Sequence, residues 1–129
     1  MEIALQRIQE CVNGRLDLSR LHLTELPPLP DGLIELYCDQ NQLTSLPPLP
    51  DGLIVLRCTT NHLTSLPELP STLQTLHCNH NYLTVLPELP LLNELYCSNN
   101  HLTVLPELPP SLEGFDCAVN RLTSLPSLP

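Results

Sequence analysis

Two residue pairs in this chain could support nucleophilic chemistry: Cys78 with His80, and Cys58 with His62. A thiol beside an imidazole that can take its proton is a recurring plan of covalent catalysis, and it works only if the two side chains share a hydrogen bond. Strand alternation sets each cysteine inside, whereas His80 and His62 belong to outward positions, so neither pair can form that bond. Metal chemistry fares no better. His22, His62 and His101 fall in one column but are separated by Gln42 and Tyr82. Strand spacing then sets them roughly 10 Å apart, too far for one ion. An interior lined by Cys38, Cys58, Cys78, Cys97 and Cys117 lacks the convergent histidine or carboxylate that a tetrahedral thiolate site would need. Glu68, Glu88 and Glu107 fall in successive units and read as a solvated acidic edge, with a weak cation site as the alternative. The glycines, Gly14, Gly32, Gly52 and Gly114, form no phosphate-cradling loop. No cofactor and no metal is expected.

What positions these residues is a repeat. The run Leu73-Gln-Thr-Leu76-His-Cys78-Asn-His-Asn81-Tyr-Leu83-Thr-Val-Leu86-Pro87-Glu-Leu89-Pro90 recurs twenty residues earlier, with Leu53, Leu56, Cys58, Asn61 and Leu63 on the same marks. Further copies carry Leu33, Leu36, Cys38 and Asn41; Leu92, Leu95, Cys97 and Asn100; and Leu112, Phe115, Cys117 and Asn120. A degenerate first copy runs from Leu16 to Leu29, with Leu21 in the asparagine position. Six units of about twenty residues imply a solenoid whose coils bury their leucines against one another.

Each unit divides into three parts. Leu-x-x-Leu-x-Cys is a strand with alternating inward and outward positions, and strands one repeat apart must run parallel, giving a six-stranded concave sheet. An inward asparagine follows, whose amide both donates and accepts and can satisfy the buried turn. Leu-Pro-x-Leu-Pro cannot be helical, because proline removes donors and fixes φ, so a polyproline II ridge is expected on the convex side. Asp31-Gly32 and Asp51-Gly52 turn the chain into the next strand, as do Ser71-Thr72 and Ser111. Leu91 marks the one-residue deletion that makes its unit nineteen long. Residues 1–13 read as a helix with Leu5, Ile8 and Cys11/Val12 on its inner face, closed by Asn13-Gly14. The expected division is a helical cap over 1–14 and a repeat array over 15–129. At the other end Phe115, Leu122 and Leu125 are expected against solvent, which suggests a fragment, or an end covered by another chain through end-to-end contact.

The wording of the unit closely resembles the short leucine-rich repeat of bacteria, in the subclass with LPxLP on the convex side found in YopM- and IpaH-type effectors. The resemblance covers Leu16 to Pro129. It implies a leucine-rich-repeat solenoid that recognises another protein. In the ligase-type relatives the reactive cysteine lies in a separate C-terminal domain, and no counterpart of it is expected within residues 1–129. The opening Leu16-Asp17-Leu18-Ser19-Arg20-Leu21-His22-Leu23 is also similar to the repeats joined to Roco-type GTPases.

Composition is consistent with these readings. The 129 residues include 32 leucines, one Phe and no Trp, which suits stacked equivalent layers rather than a pocket for a flat cofactor. Fourteen acidic residues stand against five basic ones, all Arg, giving a formal charge of −9. Nucleic acid and anionic membrane both need clustered cations and are set aside as partners. A chain without lysine offers no side-chain amine for ubiquitin, which would suit work in a eukaryotic cytosol or beside a ubiquitin ligase, the plainer reading being drift within a repeat that simply lacks Lys. Six cysteines spaced one repeat apart are expected as a packed column of reduced thiols, since disulfide geometry fits neighbouring rungs only under strain. The N-terminus has no long apolar run, so neither a classical signal peptide nor a membrane span is expected. The expected location is cytoplasmic, or the host cytoplasm after export by another route.

The repeat leaves free only the outward strand positions. Asp17, Tyr37, Arg57, His77, Tyr96 and Asp116 form the central column, with Arg15, Glu35, Val55, Thr75, Glu94 and Gly114 on one side and Ser19, Asp39, Thr59, Asn79, Ser98 and Ala118 on the other. Tyrosine and arginine are enriched at binding hot spots. Tyr37, Arg57, His77 and Tyr96 are therefore the expected anchors for a protein partner, flanked by Glu35, Asp39 and Glu94. The function expected is a non-catalytic protein-binding module, as in a bacterial effector. Two alternatives stay open: the recognition segment of a larger ubiquitin ligase or Roco-type GTPase, and a structural or engineered array without a partner.

Overall fold

A computed structural model describes residues 1–124. One helix, α1 (Glu2–Gln9), precedes six three-residue strands: β1 (Arg15–Asp17), β2 (Glu35–Tyr37), β3 (Val55–Arg57), β4 (Thr75–His77), β5 (Glu94–Tyr96) and β6 (Gly114–Asp116). All pair in parallel in the order β1-β2-β3-β4-β5-β6. This is the expected solenoid of parallel strands. Between strands, the leucine-proline stretches carry neither helix nor strand.

The strands are short because only their middle residue needs to point inward. Leu36, Leu56, Leu76 and Leu95 are fully buried and stack one coil above the next, joined by Leu33, Leu53, Leu73 and Leu92 and by Leu43, Leu63, Leu83 and Leu102. Each fully buried leucine stabilises by about 1.5–3 kcal/mol, and each needs its neighbours above and below to be buried. Cys38, Cys58, Cys78 and Cys97 occupy the inward position at the strand's end and are equally buried, as free thiols. Phe115, Cys117 and Leu122 of the last coil are packed against this core and partly buried rather than left to solvent. Leu125 and Leu128 lie outside the described residues.

The inward asparagines tie coil to coil. Asn81 Oδ1 accepts from Leu63 N in the preceding coil at 3.0 Å, while its Nδ2 donates to Cys58 O at 3.0 Å and Cys78 O at 3.2 Å. Asn61, Asn100 and Asn120 repeat the pattern. Asn41 accepts twice, from Leu21 N and Leu23 N, so the coil without an asparagine borrows its neighbour's. Immediately before each asparagine, and before Leu21 in the same position of the first coil, the backbone turns left-handed: Arg20, Gln40, Thr60, His80, Asn99 and Val119 all have φ between 54° and 58°.

The turns into the strands follow two designs. Gly32 and Gly52 take φ of 80° and 91°, whereas Thr72 and Ser111 lack that freedom and instead donate their hydroxyls to Leu53 O and Leu92 O of the coil before. The nineteen-residue unit absorbs its deletion here. Leu91 is pushed outward, and the register Thr75↔Glu94 is unbroken.

The helix is shorter than its sequence suggests, and its inner stripe keeps Ile8 and Cys11 but takes Ala4 in place of Leu5. It ends at Gln9, and the residues turned inward are Ala4, Ile8 and Cys11, while Leu5 is about half exposed and Val12 is 93% exposed. Residues 4, 8 and 11 form a stripe at helical spacing just as 5, 8 and 12 do. The small alanine permits the closer approach to β1. That approach lets Arg7 Nη1 donate to Asp17 O at 2.8 Å and Cys11 Sγ to Arg15 O at 3.4 Å. Two carbonyls of the edge strand are thereby satisfied, which blunts an edge that would otherwise template further pairing.

Candidate functional site

The register fixes what shares a wall. Asp17, Tyr37, Arg57, His77, Tyr96 and Asp116 are successive partners along the open face of the sheet, and Arg15, Glu35, Val55, Thr75, Glu94 and Gly114 form the column beside them. Six of the seven residues expected to bind a partner lie in these two columns, and the seventh, Asp39, stands beside Arg57. They gather into two groups that meet where Arg57 pairs with His77.

The first group is built on Tyr37. Its ring is flanked by guanidinium groups from both neighbouring strands, Arg15 at 5.0 Å and Arg57 at 5.6 Å from the centroid. Its hydroxyl donates to Glu35 Oε1 at 2.5 Å, and that bond, with burial and the Glu35 charge, raises its pKa above the ordinary phenol value. Asp39 Oδ1 accepts from Thr59 N at 2.8 Å, which holds the carboxylate in place. Arg57 Nε lies 3.6 Å from Asp39 Oδ2, close enough for attraction but too long for a hydrogen bond.

The second group is built on Tyr96. His77 meets its ring edge-on at 4.7 Å, and His77 Nε2 lies 3.7 Å from Glu94 Oε1. Burial, together with the nearby Arg57 charge, lowers the imidazole's pKa, and Glu94 and Asp39 pull the other way. The Tyr96 hydroxyl lies over Gly114. A Cβ at that position would sit 2.5 Å from it, so the missing side chain makes room for the ring. Arg57 Nε and His77 Nε2 are both shielded from solvent and have no hydrogen-bond partner. Two shielded nitrogens thus stand on register-paired residues of the face, at 3.6 and 3.7 Å from a carboxylate oxygen.

The structure does not bring together the cysteine–histidine pairs. Cys58 and Cys78 are buried, and desolvation holds their thiols well above the ordinary value, while His62 and His80 are exposed on the loops that follow the strands. Glu68, Glu88 and Glu107 are exposed along the ridge. Among the described residues, no three histidine, cysteine or acidic side chains form a metal-sized group. In the sequence Arg15 and Gly114 stand out only as neighbours of the column. The signal for Arg15 was its register opposite Glu35, one strand from Tyr37; for Gly114 it was the one missing side chain beside Tyr96.

Residues 91–115 match the Leucine Rich Repeat family. Superposition on YopM from Yersinia enterocolitica WA-314 gives a TM-score of 0.96 at 43% identity over 99% of this chain. This chain has the leucine-rich-repeat fold of these bacterial effectors. The repeat protein also superposes on a Shigella effector leucine-rich-repeat domain, with TM-score 0.95 and 39% identity over 98% of the chain. A third similar structure is YopM of Yersinia pestis, described as a leucine-rich effector protein, with TM-score 0.91 and 38% identity over 98% of the chain. The repeat protein spans 30%, 60% and 38% of those three chains respectively. No curated protein matches it in sequence.

Proposed function

We propose that this repeat protein is a non-catalytic recognition module that binds a partner protein through the open face of its sheet. It acts as bacterial effectors of this fold do, within a host cytoplasm. The observation that carries the reading is the central column. Tyr37, Arg57, His77 and Tyr96 stand in adjacent strands on one wall, and two of them hold shielded nitrogens without a hydrogen-bond partner. A buried donor left unpaired costs about 1–3 kcal/mol, and a partner supplying an acceptor recovers it. Tyrosine and arginine anchors of this kind carry a large share of interface energy. None of the described helices is long and apolar enough to cross a membrane.

The test is affinity capture from host-cell lysate by the parent chain and by the Tyr37→Ala/Tyr96→Ala double variant, with thermal melts as the check on folding. A partner retained by the first and weakened by several kcal/mol in the second, about two or more per hot spot, supports the reading. Equal recovery by both places the interface off the sheet.

A further inference from the structure

Charge is distributed by column in this chain, and one edge stands apart. The two columns that flank the asparagines, Arg20 to Val119 on one side and His22 to Arg121 on the other, contain none of the fourteen acidic residues. They hold four of the five histidines and two of the five arginines. Between them, over four coils, runs a groove of about 530 Å³ whose walls carry His62, His80, Tyr82, His101 and Arg121. The rings of His62, Tyr82 and His101 form a continuous rail, with centroids 5.7 and 5.5 Å apart. The backbone beneath is already committed, since the amides of His62, Tyr82, His101 and Arg121 all donate to the preceding coil. Recognition in the groove therefore falls to side chains. Each imidazole offers an N–H donor whether neutral or charged, the guanidinium offers five, and none of the wall residues named carries an anionic acceptor.

We propose that this groove is a second binding surface, separate from the open face of the sheet, and that it takes an extended acidic segment of another protein. The reasoning is complementarity. A donor-rich, acid-free strip on a chain of net charge −9 is a local exception to the chain's own field. That surrounding field repels a long polyanion such as nucleic acid, whereas a short run of carboxylates lies within the strip and meets no acidic side chain on its walls. The rail gives the segment's apolar side-chain atoms a surface to lie on, and four coils give it about 15 Å of length, room for four or five extended residues.

The experiment is fluorescence anisotropy with a fluorescein-labelled decapeptide of alternating glutamate and alanine, beside the same peptide with glutamine and a ten-nucleotide DNA strand. The expected result is saturable binding of the glutamate peptide, at least tenfold tighter than the glutamine peptide and the DNA, weakening with added salt. The quadruple variant His62→Ser/His80→Ser/His101→Ser/Arg121→Ser should weaken it at least tenfold further. Should that variant fail to fold, diethyl pyrocarbonate labelling of the parent chain gives the same answer, with the peptide slowing modification of His62, His80 and His101 but not of His77. Equal binding of the glutamine peptide, tighter binding of the DNA, or labelling unaffected by the peptide would overturn the proposal.

Discussion

At the scale of single residues, the asparagine does work that no other side chain in the unit could do. It must accept from the coil before it and donate both to that coil and to its own, and only an amide has both capacities at that reach. Asn81→Ala leaves Leu63 N and the carbonyls of Cys58 and Cys78 short of a partner. The expected cost is about 1–3 kcal/mol, read as a lower midpoint in urea. The cysteines matter through their protons. Burial pushes the thiols of Cys38, Cys58 and Cys78 well above the ordinary value and that of Cys97 to about 12. Above pH of about 8.5 an unfolded chain releases those protons while the folded chain keeps them, so stability falls as pH rises through that value. The denaturation midpoint should drop steadily from pH 8 to 10.5, and less so in a Cys58→Val/Cys78→Val variant. A profile equally steep in parent and variant would count against it.

At the scale of the element, the turn before each asparagine stores strain. A left-handed φ is uncommon for any residue with a Cβ and most unfavourable for a β-branched one, yet Thr60 and Val119 both adopt it. Asn99, in the same column, shows the easier choice. Val119→Asn should therefore stabilise the chain by about 0.5–1 kcal/mol, measurable as a raised melting temperature. This column was also the part of the fold least legible in the sequence. Leucine, cysteine and asparagine positions could be read directly, because burial and the amide's double role admit few substitutes at those marks. The left-handed position accepts Arg, Gln, Thr, His, Asn and Val alike, since the coil imposes the conformation and no residue type announces it. The helix read only in part for a related reason, since Ile8 and Cys11 pack inward as expected but Ala4 replaces Leu5. Two apolar stripes fit its period, and only the approach to β1 chooses the one containing Ala4. The sheet-face columns followed from spacing alone, but the contacts within them did not. That Tyr37 sits between two guanidinium groups and Tyr96 over a glycine depends on rotamers set by neighbours one coil away.

At the scale of the molecule, the coils divide their side chains into an interior that every unit shares and surfaces on which units differ. Stability then comes from repetition and recognition from variation, so a residue's place in the repeat states its role before its identity does. The open face, the ridge and the loop edge differ in chemistry because each samples a different column of the same unit. Ring-bearing residues interleaved with arginines and acids stand on the first, acids and prolines on the second, and histidines with arginines on the third. The most direct test of this division is thiol accessibility, read by timed alkylation of the native chain and mass spectrometric mapping. Cys38, Cys58, Cys78 and Cys97 should react only as fast as the chain unfolds, with Cys11 and Cys117 alone modified early. Prompt labelling of any of those four in the folded chain would contradict the shared interior, and with it the wall on which the binding residues are displayed.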